Sequence, residues 1–214
     1  EAVVIHIIEG TLGAADSWFR APESDVSAHY GIGRSGEIHQ YVGEADTAFH
    51  AGRVWKPKWG KLKAKVNPNL YTIGIEHEGQ GASDWPDAMY ASSSKLIADV
   101  CNRWSIPIDR EHIVGHREIY GRKTCPNDIV DLDRLITLAR DAALFNSGRA
   151  MLVVPNETRG FNASTVVIAW KDTVEAVRAL AASAPFLAAA MRVKLISIAE
   201  LEDENETPTM MTDY

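Results

Sequence analysis

The stretch Gly115–Pro126 strongly constrains how this chain can fold, because it concentrates three reactive side chains in one short segment. The imidazole of His116, the ammonium of Lys123 and the thiol of Cys125 lie within ten residues of one another. Lys123 lies two residues before Cys125, so an extended backbone points both side chains to the same face. An imidazole and a thiolate are ligand types that zinc prefers in proteins. Two ligands do not make a site, so a distant part of the chain has to supply a third.

The composition is that of an ordinary soluble globular protein and limits the classes of function. The chain has 214 residues, 46% apolar and 24% charged, enough for one large domain or two small ones. Its net charge of −7 argues against non-specific nucleic-acid binding, and no run approaches the ~20 apolar residues that span a bilayer. Its two cysteines, Cys101 and Cys125, exclude a disulfide framework. The strand pattern already begins within Glu1–His6, so no signal peptide is visible and the cellular location stays open.

Two apolar runs predict buried strands that each carry one polar side chain. His6 lies in the middle of the β-branched run Val3–Ile8, where it is either a hydrogen-bonded core histidine or a metal ligand. Glu76 lies in Tyr71–Gly79, where a buried carboxylate is costly unless it is paired or lies near a metal. Glu76 is therefore a better candidate for a functional residue than a surface glutamate.

The remaining patterns of the first 147 residues predict helices and one hairpin. The helices are expected over Ala14–Arg20, Pro86–Trp104 and Asp131–Phe145, and two strands are expected around a Ser35–Gly36 turn. The segment Trp55–Val66 is locally basic, with lysines interleaved with tryptophans. It is either a solvated loop or a rim that faces a substrate.

Several motifs in residues 1–147 resemble those of one enzyme family, in the same order and with compatible spacing. The family is that of the zinc-dependent N-acetylmuramoyl-L-alanine amidases of the phage-lysozyme, anhydro-muropeptide amidase and peptidoglycan-recognition type. The matching segments are Val4–His6, Ser27–His29, Phe49–Gly52, Asn69–Glu76, Gly115–Arg117 and Lys123–Pro126. The resemblance implies an α/β fold with a mixed, mostly antiparallel sheet flanked by helices, and zinc in a groove at one face.

The resemblance also implies a catalytic centre. It makes His6, His116 and Cys125 the ligands of one zinc ion, and three protein ligands leave the fourth tetrahedral position for water. It makes Glu76 the general acid and base, which takes a proton from that water and passes it to the leaving amine. It makes Lys123 the group that stabilises the oxyanion.

Three further residues match motif positions that lie near the substrate groove in the family. One residue differs from the family motif. His29, His50 and Asn69 match motif residues that contact the substrate or make structural hydrogen bonds. Some family members carry a catalytic tyrosine at the position of Ala28 in this sequence. Tyr30 lies two residues further on and is not given that role, so the chain follows the subgroup that uses a glutamate.

The sequence pattern changes after residue 147. Residues 148–200 are predicted to form a small β–β–α–β unit. Its elements are the strands Met151–Val154, Val166–Trp170 and Val193–Ile198 and the helix Asp172–Ala190. A strand, a helix and a strand of this length predict a parallel strand pair. Residues 201–214 are an acidic tail that we predict to be disordered.

This small unit resembles a fragment of a universal-stress-protein domain, in Arg149–Pro155 and Val167–Asp172. Lys171 stands where that family has an acidic nucleotide-binding residue, so we expect no ATP binding. Three strands with one helix cannot cover both faces of a parallel sheet. We therefore expect the unit to pack on the first domain or to form a homodimer, and we favour the homodimer.

Three hypotheses for function follow from the resemblance. The first is zinc-dependent hydrolysis of the amide between N-acetylmuramic acid and L-alanine, in peptidoglycan or in a muropeptide. The second is a non-catalytic peptidoglycan-binding module on the same fold, and the third is a stress-type interaction protein with a vestigial first domain. Binding-only members typically replace the cysteine, so the presence of Cys125, Glu76 and Lys123 favours the enzyme. The sequence leaves open whether its setting is phage lysis, cell-wall recycling or competition between bacteria.

Overall fold

The computed structural model describes residues 1–146 and 164–197, which fall into two compact units. The first unit is Glu1–Ala143, and the second begins at Leu144. The predicted strand Met151–Val154, the predicted boundary after residue 147 and the acidic tail lie outside the described residues and stay predictions. Within the described residues, no helix is long and apolar enough to cross a bilayer.

The first unit is built on a five-stranded sheet in the order β3-β2-β4-β1-β5. The strands are β1 (Ala2–Ile7), β2 (Tyr30–Ile32), β3 (Ile38–Gln40), β4 (Thr72–His77) and β5 (Ile113–Gly115). The mixed α/β class is confirmed, but the expectation of a mostly antiparallel sheet is wrong. Only β2 and β3 pair antiparallel, while the other three pairs are parallel. The reason is the connections, because only β2 and β3 are joined by a short turn and the other strands are joined by long crossovers.

Three of the four helices up to Asn146 agree with the predicted segments to within a few residues, and the short helix at His116–Ile119 was not predicted. The four helices are α1 (Leu12–Trp18), α2 (Asp87–Trp104), α3 (His116–Ile119) and α4 (Leu132–Asn146), with short 3-10 turns at Pro22–Ser24 and Pro68–Leu70. Helix α1 begins earlier than expected because the Thr11 side chain accepts a hydrogen bond from the backbone N–H of Ala14 and caps the first turn.

The two faces of β1 are covered by different parts of the chain, and this arrangement decides where the site lies. Val3 and Ile5 belong to the main core, which includes apolar residues of α2 and α4. Ala2 and Val4 point to the opposite face, where Trp59 from a loop and Ile119 from α3 belong to the same apolar cluster. Because side chains alternate along a strand, His6 shares the face of Ala2 and Val4. The chain therefore places His6 on the face covered by this loop and α3, at the carboxyl end of β1.

The described part of the second unit contains a parallel pair, β6 (Thr165–Trp170) and β7 (Arg192–Ser197), as predicted. The single helix expected between them is in fact two helices, α5 (Val174–Ala182) and α6 (Ala184–Ala189). The break falls at Ser183, because Pro185 has no backbone N–H to continue α5 and is favoured in the first turn of a new helix.

Candidate active site

Three potential metal ligands meet at the carboxyl end of β1. His6 comes from β1, His116 is the first residue of α3, and Cys125 lies in the loop that follows α3. One ligand atom from each of these residues lies within 4.8 Å of those of the other two. Two imidazoles and one thiolate form a donor set that zinc accepts at catalytic sites. The structure thus brings together the three side chains that the family resemblance assigned to zinc.

Cys125 is buried and its sulfur is held by the strand that carries His6. The backbone N–H of Ile7 donates a hydrogen bond to Cys125 Sγ at 3.1 Å. Burial and, to a smaller extent, the nearby Glu76 carboxylate raise the pKa of the Cys125 thiol to about 12. Since a bound cation favours the thiolate, ionisation of this sulfur is coupled to metal binding.

Both histidines are kept in the neutral form that binds a metal. Burial, followed by the nearby His116, holds the pKa of His6 well below its usual value. Burial and the Lys123 ammonium lower the pKa of His116 to about 4. The two imidazole rings lie 4.6 Å apart between centroids. Near neutral pH neither ring has to lose a proton before it binds a cation.

Glu76 is the carboxylate of this site. It lies opposite His6 in the register of β4 and β1, with Oε1 3.9 Å from His6 Nδ1. Burial raises the pKa of Glu76 to about 8, while the Lys123 ammonium opposes this shift. Its other oxygen, Oε2, is buried and has no hydrogen-bond partner among the described residues. A buried acceptor without a partner is costly, so it suits a group that binds a water molecule or a ligand, and the residues present fit a zinc ion with Glu76 beside it.

A cavity of about 680 Å³ opens in front of these residues. Lys123 is exposed at its wall, and its ammonium interacts electrostatically with Glu76 and Cys125. Another part of the wall is apolar and includes two large side chains, Trp18 at 51% exposure and Phe49 at 57%. Sequence reasoning did not assign either of these a functional role, because a single exposed aromatic residue has no distinctive pattern.

The profile of a protein family described as N-acetylmuramoyl-L-alanine amidase matches residues 1–128. The chain belongs to this amidase family. It is 40% identical to N-acetylmuramoyl-L-alanine amidase A of Achromobacter lyticus over 105 residues, which are 48% of this chain and 51% of that protein. It is 34% identical to the 1,6-anhydro-N-acetylmuramyl-L-alanine amidase AmpD of Haemophilus influenzae over 113 residues, which are 52% of this chain and 58% of that protein. The chain therefore matches a little over half the length of these two relatives.

Solved structures of amidases share the fold. A selenomethionine AmpD derivative has a TM-score of 0.53 at 28% identity, covering 64% of this chain and 83% of that one. The AmiD amidase of E. coli, in complex with anhydro-N-acetylmuramic acid-L-Ala-D-gamma-Glu-L-Lys, has a TM-score of 0.56 at 23% identity. The AmiD match covers 64% of this chain and 56% of the AmiD chain.

His29, His50 and Asn69 are the amidase-motif residues that were predicted to contact substrate, and the structure gives each of them protein partners. His29 Nδ1 accepts a hydrogen bond from Gly74 N–H at 3.0 Å. The side-chain oxygen of Asn69 accepts hydrogen bonds from the backbone N–H groups of His50 and Ala51. Of the three, only His50 lines the cavity described above. These contacts match the structural alternative for His29 and Asn69, and substrate contact stays a prediction.

His77 contacts the backbone of the proposed ligand His6, a structural role that the sequence did not reveal. Its Nδ1 lies 3.0 Å from the backbone oxygen of His6, and its Nε2 lies 2.9 Å from Ser93 Oγ. The ring stacks on Trp85 with centroids 3.9 Å apart. Because His77 follows Glu76 in β4, it points to the opposite face of the sheet. The available sequence signal was that His77 follows Glu76 in a predicted buried strand. This signal does not show whether a histidine hydrogen-bonds the site or only packs in the core.

Proposed function

We propose that this chain uses one zinc ion to hydrolyse the amide between N-acetylmuramic acid and L-alanine, in peptidoglycan or in muropeptides. The observation that carries the proposal is the convergence of His6, His116 and Cys125 beside the unpartnered oxygen of Glu76, at the wall of an open cavity. Membership of the amidase family and the names of the relatives support this choice of bond. The alternative is a module that binds peptidoglycan without cleaving it.

The side chains of the site divide the chemistry among them. His6, His116 and Cys125 would hold the zinc ion, which when bound lowers the pKa of a water molecule and polarises a carbonyl group. Glu76 takes a proton from the attacking water and passes it to the leaving amine of L-alanine. The Lys123 ammonium faces the same cavity, where a positive charge stabilises a developing oxyanion by about 3 kcal/mol.

The environment of Glu76 suits a group that both accepts and donates a proton. Without a metal its pKa is raised to about 8, mainly by burial, and a carboxyl group with this pKa is largely protonated near neutrality. A cation held by the three ligands lowers this pKa, because an opposite charge favours the ionised form. General acid–base catalysis is most efficient when the pKa lies near the working pH. Metal binding therefore brings the pKa of Glu76 towards the range in which the residue can both accept a proton from water and donate it to the leaving amine.

Release of new N-terminal alanine tests this proposal. Zinc-loaded protein is incubated with purified peptidoglycan and, separately, with a defined muropeptide, and alanine amino groups are labelled and counted. We expect release that a chelator abolishes and added zinc restores. Glu76→Gln should lose at least about 100-fold in turnover, as removal of a general base usually does. Glu78→Gln is the matched control, because Glu78 accepts a hydrogen bond from Arg34 N–H and does not line the cavity.

The same experiment separates the enzyme from the binding module. Zinc-loaded protein that sediments with peptidoglycan but releases no alanine from either substrate would favour the module and rule out the amidase. Protein that releases alanine from the muropeptide alone would keep the chemistry and narrow the substrate.

The proposals for the second unit are that it is a universal-stress-protein-like fragment and that it joins two copies of the chain. The residues of β7 are all exposed, and neither α5 nor α6 has a buried residue within the described part of the chain. Val167 and Leu195, on the paired strands, are each 54% exposed. Exposed apolar surface of this kind favours association. Light scattering of the whole chain tests the homodimer, and a monomer at micromolar concentration would contradict it.

A further inference from the structure

His50 has a hydrogen-bond partner at each ring nitrogen, and the partners at one of them define its tautomer. Its Nε2 lies 3.3 Å from both the backbone oxygen and the side-chain oxygen of Thr72. The Thr72 hydroxyl donates its only hydrogen to the backbone oxygen of Pro68 at 2.8 Å. Both Thr72 oxygens can therefore only accept at this contact. The hydrogen of the His50 ring must lie on Nε2.

The other nitrogen of His50 is consequently an acceptor. A neutral imidazole carries a single ring hydrogen, so a hydrogen on Nε2 leaves only a lone pair on Nδ1. His50 Nδ1 lies 3.0 Å from His6 Nε2. Since Nδ1 has a lone pair and no hydrogen, His6 Nε2 must carry the hydrogen and donate it. The second nitrogen of His6, Nδ1, is left with a free lone pair 3.9 Å from Glu76 Oε1.

We infer that His50 is a positioning residue, which fixes His6 in the Nε2–H tautomer so that Nδ1 is the atom offered to the metal. The inference rests on the proposed zinc site and assigns His50 a role that differs from substrate contact. A metal-binding histidine commonly donates its other ring N–H to a fixed acceptor, and this contact sets its tautomer and orientation. In this chain the acceptor is a second histidine, whose own tautomer is set by Thr72.

The surrounding fold is shaped to keep His50 in this position. A Cβ atom at Gly74 would lie 2.6 Å from His50 Nδ1, so only glycine leaves room for the ring against β4. Asn69 holds the backbone on the other side, through its contacts with the N–H groups of His50 and Ala51. Thr72, Gly74 and Asn69 therefore constrain both the ring and the main chain of one residue.

The tautomer of His6 can be measured directly in the metal-free protein by ¹⁵N NMR of the histidine rings. We expect His6 to be protonated at Nε2 and His50 at Nε2, with no exchange between tautomers. In His50→Phe, His6 should become a mixture of the two tautomers. A wild-type protein in which His6 is protonated at Nδ1 would overturn the inference without any variant.

Zinc affinity, measured by competition with a chromophoric chelator, supplies the second readout. His50→Phe should weaken zinc binding by roughly 10- to 100-fold, the usual loss when the partner of a ligand is removed. His50→Asn should recover part of this affinity, because its amide oxygen can take the place of Nδ1 as an acceptor, whereas His50→Gln reaches towards Thr72 and should not. The matched control is His112→Asn, since His112 is also half-buried but bonds Asp109 and does not line the cavity.

Equal zinc affinity in wild type and His50→Phe, with both proteins folded by circular dichroism, would overturn the inference. Both readouts are independent of turnover, so they separate it from the proposed function. A wild-type protein that binds zinc through a fixed His6 but cleaves no amide would refute the amidase and leave the role of His50 intact.

Discussion

The backbone N–H of Ile7 donates a hydrogen bond to the sulfur of Cys125 at 3.1 Å, although 118 positions separate them in the chain. This N–H is available because β5 pairs with β1 only as far as Ile5, opposite Gly115. The end of β1 therefore supplies both an imidazole, from His6, and a hydrogen bond to the sulfur. A hydrogen bond to the charged form of a group favours that form, so the contact favours the thiolate that a metal needs.

Replacement of this sulfur should separate metal binding from folding. In Cys125→Ser the hydroxyl can still accept the hydrogen bond from Ile7, but it does not ionise near neutral pH and is a poor zinc ligand. We expect a folded protein that contains less than one-tenth of an equivalent of zinc after dialysis, as measured by atomic emission. Cys101→Ala is the control, because Cys101 is buried in the main core with no metal-binding neighbour group among the described residues. One full zinc equivalent in Cys125→Ser would contradict the assignment.

Glu76 should make the metal-free protein less stable as the pH rises. Its pKa is about 8 in the folded protein and about 4.3 in an unfolded chain. Between these values the folded state holds a proton that the unfolded state has lost, so the free energy of unfolding falls by up to about 1.4 kcal/mol per pH unit. Glu76→Gln removes this dependence and should be more stable than wild type at about pH 8. Urea unfolding at several pH values, with chelator present, measures the difference, and identical slopes for both proteins would contradict the prediction.

The strands and the proposed metal ligands could be predicted from the sequence for different reasons. Strand β1 was predictable because all six of its residues are buried, so its apolar run is continuous. His6, His116 and Cys125 were identified only because the family motifs assigned them one role, since spacing alone cannot show that residues 6 and 116 meet. The order of the strands in the five-stranded sheet and the direction of its β1, β4 and β5 pairs were not predictable, because they depend on pairings between distant segments.

The roles of His77 and His50 could not be predicted from the sequence, for a further physical reason. A histidine with two protein partners, such as His77 or His50, has the same sequence signature whether it packs, binds substrate or orients a metal ligand. Only the direction of each hydrogen bond distinguishes these roles. For His50 that direction depends on the Thr72 hydroxyl, which a sequence pattern does not place.

The segment Trp55–Val66, interpreted from sequence as a solvated loop or a substrate-facing rim, can now be tested. Trp55 is exposed, and the guanidinium of Arg122, which lines the cavity, lies 4.5 Å from the centre of its ring. If the segment is a rim, the double variant Lys56→Glu/Lys58→Glu should weaken cosedimentation with peptidoglycan at low salt and leave turnover of a small soluble muropeptide unchanged. Low salt is needed because exposed charges act at long range only when salt does not screen them.

An equal change of charge elsewhere on the surface is the control for that experiment. Lys95→Glu/Lys194→Glu alters exposed lysines of α2 and β7. Equal weakening in both double variants would show that only net charge matters, and no weakening in either would identify the segment as a solvated loop.

Gly74→Ala should disturb the metal centre without changing any polar group. The added Cβ would overlap the ring of His50 at both Cγ and Nδ1, so the ring has to leave the position in which it contacts His6. Overpacking of this kind commonly costs about 1–3 kcal/mol of stability, and we expect zinc affinity to fall as well. Gly31→Ala is a matched control for overpacking, because the atoms nearest to its Cβ, at 2.8 Å, belong to Leu12 and Tyr41 and not to a proposed zinc ligand. Both variants should lose stability in thermal melts, yet only Gly74→Ala should lose zinc affinity. Equal zinc affinity in the two would mean that the position of His50 does not control how His6 binds the metal.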